Sequence, residues 1–87
     1  MVDQSTIDDF FADAASRGLE RDEMAKGLVG IGAYQLAVRL FTSRRVAIET
    51  LRDTALECCR KGEYEKYSVI ENVMLDHDYG IPMIPNF

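Results

Sequence analysis

The stretch Thr42-Ser43-Arg44-Arg45-Val46-Ala47-Ile48-Glu49-Thr50-Leu51-Arg52-Asp53-Thr54-Ala55-Leu56-Glu57-Cys58-Cys59-Arg60-Lys61-Gly62 decides the fold class. Ile48, Leu51, Ala55 and Cys58 recur at steps of three and four, which places them on one side of a helix. Glu49, Arg52, Asp53 and Glu57 fall mostly on the other side. Thr42 or Ser43 can cap the start by accepting an unpaired backbone N–H. Phe41 stands where it can pack on Val46. Arg60 and Lys61 sit in the last turn, where positive charge complements the helix dipole. Gly62 then offers the left-handed residue with which helices often end. The spacing predicts a helix over residues 43–61.

A second helix is expected from near Glu63, with Tyr67, Ile70, Val73, Met74 and His77 on its apolar side. A link this short predicts two antiparallel, adjacent helices. The string Lys61-Gly62-Glu63-Tyr64-Glu65-Lys66 is similar to the turn inside a tetratricopeptide repeat. It covers only those residues, and no second copy occurs at that repeat's period. It is therefore read as a hairpin turn, and no family is carried over.

Working outward, the chain of 87 residues predicts one domain, 1–87, with a core small enough that oligomerisation would add to its stability. A net charge of −5 argues against general binding to nucleic acid or anionic membranes. No apolar run reaches membrane-spanning length, and no basic segment followed by an apolar one opens the sequence. The expectation is a cytoplasmic protein without nucleic-acid or membrane partners. Cys58 and Cys59 are neighbours that reach disulfide geometry only with strain. They read as reduced thiols, Cys58 in the core.

Towards the N-terminus, Ser5 with Asp8, or Thr6 with Asp9, resembles a capping box with Asp in place of Glu. Ile7, Phe10, Phe11 and Ala14 make the buried stripe of this first helix, which ends at Gly18. The next helix is expected to start with a cap near Glu20 and run to Phe41, with Met24, Leu28, Ile31 and Val38 on one stripe. Carried forward, that stripe lands on Thr42 and Arg45, whereas the following one uses Ile48, Leu51 and Ala55. The slip in phase predicts a bend near Thr42, with one unbroken helix as the alternative. Gly27, Gly30 and Gly32 fall inside this segment, each costing about 1 kcal/mol relative to alanine in a helix. With Ala33 and Ala37 they form a small-residue surface, fitted to a close crossing by a helix of the same chain or of another subunit. Gly30, Tyr34 and Ala37 are the interface candidates there.

Beyond His77, Pro82 and Pro85 forbid a helix and favour an extended path. Ile81, Met83, Ile84 and Phe87 make this tail apolar. It is expected to cover the chain's own helices or to dock on a second subunit, with Ile84 and Phe87 as interface candidates.

Sites of chemistry are sparse. Cys58, Cys59 and His77 do not have the spacing of a zinc site, so no metal and no cofactor is expected. Asp76-His77-Asp78 can orient an imidazole, but it also suits a helix C-terminus. Gly27, Gly30 and Gly32 lack the strand context of a phosphate-binding loop. Ser43, Arg44 and Arg45 stand at a predicted helix start, where free N–H groups, the dipole and bidentate guanidinium donors suit a phosphate or carboxylate. Pairing of these arginines with Glu49 and other acids is the competing reading. A helix-turn-helix DNA reader does not fit, because the basic residues cluster away from the Ala25 region.

The expected architecture is an all-α bundle of about four helices, the last three antiparallel, closed by the apolar tail. The expected function is that of a non-enzymatic interaction or regulatory protein acting as a homo-oligomer. The alternative is a module binding an anionic small ligand at Ser43, Arg44 and Arg45.

Overall fold

The computed structural model describes residues 2–80. Among them every regular element is helical: α1 (Gln4–Arg17), α2 (Arg21–Gly30), α3 (Tyr34–Leu40), α4 (Arg44–Arg60) and α5 (Tyr64–Asp76). The all-α expectation holds, with five helices where about four were expected. The extra one arises because the segment from Glu20 to Phe41 is broken at Ile31–Ala33. The chain divides into a first unit ending at Arg44 and a second beginning at Arg45. The expected apolar tail lies outside the described residues.

In the first unit, α1 starts earlier than its hydroxyls suggest. Asp3 is the N-cap and makes no side-chain capping bond, so Ser5 and Thr6 lie inside the helix and the capping box is not formed. Gln4 Nε2 instead donates to Asp8 Oδ1 at 3.0 Å. Phe10 and Phe11 meet edge to face, their ring centroids 5.7 Å apart. The Phe10 ring also lies against α2 where Gly27 has no side chain: a Cβ there would come within 2.6 Å of ring atoms Cε2 and Cζ. Of the small-residue surface, Gly27 therefore serves a close crossing within the chain. At Gly30 an added Cβ would meet nothing within 4 Å.

The break between α2 and α3 is a Schellman turn. Gly32 has φ 89°, and Ala33 N–H reaches back to Leu28 O at 2.9 Å while Gly32 N–H bonds Val29 O at 3.1 Å. Two residues at the start of α2 then grip the end of α3. Arg21 donates from Nε to Leu40 O (2.8 Å) and from Nη2 to Arg39 O (2.9 Å), satisfying carbonyls that a helix end leaves open. Asp22 accepts from Thr42 N–H at 2.7 Å and from the Thr42 hydroxyl at 2.9–3.0 Å. These bonds put the start of α2 beside the end of α3, so the pair is an antiparallel hairpin. Ala25, Leu28, Val29, Ala33, Tyr34, Ala37 and Val38 are its buried residues.

α3 ends at Leu40 and α4 begins at Arg44, so the phase slip does mark a break and the unbroken-helix alternative is excluded. In the second unit, α4 buries Ala47, Leu51, Ala55 and Cys58, and α5 buries Ile70, Val73 and Met74. The expected faces are recovered, with Ile48, Tyr67 and His77 half-buried at their margins. Lys61, Gly62 and Glu63 join the two helices. Glu63 N–H bonds Cys58 O at 2.8 Å and Gly62 N–H bonds Cys59 O at 3.2 Å.

Candidate functional site

The outward side of α5 is where the chain leaves large apolar groups in water. Tyr64 is 66% exposed, Leu75 50% and Val69 49%. Tyr64, Ser68, Glu71 and Leu75 follow one another at steps of four, three and four, so they line one side of the helix. Ser68 is exposed and Glu71 is half-exposed. Glu65, Asn72 and Asp76, all exposed, run alongside. Val69 sits nearer the opposite margin of the buried face. The stripe is thus an apolar pair framed by acids.

The Gly62 turn positions its N-terminal end. Gly62, Glu63, Tyr64, Glu65 and Lys66 enclose a shallow, open hollow of about 410 Å³. Lys66 Nζ pairs with Glu63 Oε2 at 2.6 Å, and this contact holds the Glu63 carboxyl below the usual carboxylate range. Farther along, the Tyr67 hydroxyl points to Glu71 Oε2 at 3.5 Å. Partial burial, and after it the Glu71 charge, raises the Tyr67 pKa.

The predicted anion site is open to solvent. Arg44 and Arg45 are exposed and Ser43 is half-exposed, just ahead of α4. Arg45 Nε donates to Glu49 Oε1 at 3.1 Å, the ion pair that competes with an anion for this guanidinium. Of the interface candidates, Tyr34 and Ala37 are buried and Gly30 is exposed. Ile84 and Phe87 lie outside the described residues. His77 is half-buried beside Tyr79, ring centroids 5.9 Å apart. Cys58 and Cys59 are free thiols, and burial pushes the Cys58 pKa up.

Among the described residues, no group of three or more His, Cys, Asp or Glu could hold a metal ion. No polar or charged side chain among them is buried. None of their helices is long and apolar enough to cross a membrane. No known protein family, curated protein or solved structure matches the chain.

Sequence reasoning missed Tyr64, Val69 and Leu75 as exposed groups. Periodicity places Tyr64 and Leu75 off the Ile70-Val73-Met74 face, so that signal was present. The Arg21 and Asp22 grip on α3 left no such trace, because it joins residues about twenty positions apart.

Proposed function

We propose that this protein is a small, non-enzymatic interaction or regulatory protein that works by associating with further copies of itself in the cytoplasm. The observation that carries this reading is the outward side of α5, where Tyr64 and Leu75 remain in contact with water. Leaving large apolar groups exposed forgoes about 1.5–3 kcal/mol for each one that full burial would return. A contact between subunits recovers part of that. We read α4 and α5 as an antiparallel hairpin, as the short Gly62 link favours, with α5 presenting this side outward. Two unbonded cysteines suit a reducing compartment.

Replacing Tyr64 and Leu75 together by serine tests this reading. Both side chains are half exposed or more, so the fold is expected to survive while self-association weakens at least tenfold. Unchanged association would remove α5 from the account. The anion-binding alternative rests on the exposure of Arg44 and Arg45, and calorimetry against nucleotides and anionic metabolites tests it. It is the weaker reading because Arg45 is already engaged by Glu49.

A further inference from the structure

Cys58 and Cys59 stand side by side in the last turn of α4, and both are free thiols. Their backbone has a second role. Gly62 N–H bonds Cys59 O at 3.2 Å, and Glu63 N–H bonds Cys58 O at 2.8 Å. With Gly62 left-handed at φ 75°, these are the two bonds that close a helix end of this type. The turn that leads into α5 is therefore fastened to the carbonyls of the two cysteines.

The thiols themselves are unequally placed. Cys58 is only 6% exposed, and burial, followed by the Glu63 charge, raises its pKa, so it is held as a protonated thiol. Cys59 is half-buried, so part of its surface meets solvent. An oxidant reaches Cys59 first, and the chain's other cysteine is its immediate neighbour. Successive side chains of a helix point about 100° apart around its axis, whereas a disulfide needs its sulfurs about 2.05 Å apart. Bringing them together turns the peptide group between residues 58 and 59 out of the helix. That group carries the Cys58 carbonyl on which Glu63 N–H rests. We propose that Cys58 and Cys59 form a reversible redox switch, which closes to a disulfide under peroxide and releases the turn between α4 and α5.

The chemistry balances in two steps. The Cys59 thiolate attacks one oxygen of hydrogen peroxide, the O–O bond breaks, and the hydroxide that leaves takes up the thiol proton as water. Cys59 is then a sulfenic acid. The Cys58 sulfur attacks the Cys59 sulfur, the S–S bond forms, and the departing hydroxide takes the Cys58 proton as a second water. The two thiols give up two electrons, and the peroxide accepts them. The second step is intramolecular, so burial of Cys58 does not shield it. It requires only that the last turn of α4 open, and helix ends open at low cost. The strain in a disulfide between neighbours makes it easy to reduce, so a small thiol resets the switch.

The test treats the full chain with hydrogen peroxide, blocks free thiols with iodoacetamide in denaturant and digests with trypsin. Cleavage after Arg52 and Arg60 frees residues 53–60, a peptide that holds both cysteines and no methionine. This peptide is expected to lose two hydrogens, to take up no alkyl group and to stay unlinked to any other. In the undigested protein, the Gly62 and Glu63 amides should exchange with deuterium at least about tenfold faster after oxidation. Dithiothreitol should reverse both changes. Cys58→Ala and Cys59→Ala, checked for folding by circular dichroism, should keep slow exchange under the same dose. Cysteines that stay open to alkylation, oxygen that accumulates on Cys59 as sulfinic acid, or a disulfide that joins two chains overturns the proposal. So does an internal disulfide that leaves both amides slow, or faster exchange in the Cys59→Ala chain.

Discussion

Gly27 and Gly30 lie three residues apart on α2, yet they oppose substitution to different degrees. A methyl at 27 would meet the Phe10 ring at 2.6 Å, whereas one at 30 would meet nothing within 4 Å. Gly27→Ala is therefore expected to destabilise the protein by about 1–3 kcal/mol, the usual cost of overpacking. Gly30→Ala should raise stability by up to about 1 kcal/mol through helix propensity. Chemical denaturation of the two variants reads both signs, and equal effects would show that the Phe10 ring swings away freely. Asp22 offers a second residue-scale test. Hydrogen bonds from Thr42, backbone first and hydroxyl second, hold its carboxyl below its ordinary value of 3.8. A carboxylate with a depressed folded-state pKa contributes stability that is complete above the unfolded value and lost as pH falls through the folded one. The stability difference between wild type and Asp22→Ala should thus be present at neutral pH and vanish in acid below the usual carboxylate range. A difference that persists there would mean that Thr42 is not held by the charge.

At the level of elements, the sequence shows its helices more clearly than their ends. The faces of α4 and α5 were legible because Leu51, Ala55, Cys58, Ile70, Val73 and Met74 keep strict helical spacing. The break after Gly30 was not, because Ile31 and Val38 continue the stripe of Met24 and Leu28 across it. Hydrophobic period cannot register a turn that preserves phase. Gly32 therefore reads as a glycine inside a helix, whereas it is the left-handed residue of a turn. Gly32-Ala33-Tyr34 and Gly62-Glu63-Tyr64 share a pattern, but thirty positions differ from the roughly 34 residues of the repeat whose turn the second string resembles. If both glycines serve the same geometry, Gly32→Ala and Gly62→Ala should each cost about 1–2 kcal/mol, the penalty for a side chain in the left-handed region. Thermal melts compare them directly, and a neutral Gly62→Ala would break the equivalence.

At the scale of the whole molecule, less of the candidate site was legible than of the fold. Ser43, Arg44 and Arg45 stand out as two arginines and a hydroxyl at a helix start, and the structure leaves Arg44 and Arg45 exposed and Ser43 half-exposed. Tyr34 and Ala37 are interface candidates because they belong to the small-residue segment that begins at Gly27, yet both are buried. Small residues permit close approach whether the neighbour belongs to the same chain or to another, so sequence does not separate the two cases. Helical spacing sets Tyr64 and Leu75 off the buried Ile70-Val73-Met74 face, so their exposure is legible in the sequence. Self-association through the exposed side of α5 is the central claim. Light scattering of the wild-type chain across a concentration series tests it most directly. The account predicts a mass that rises above the 9.8 kDa of one chain as concentration increases. A mass that stays at 9.8 kDa throughout would contradict it.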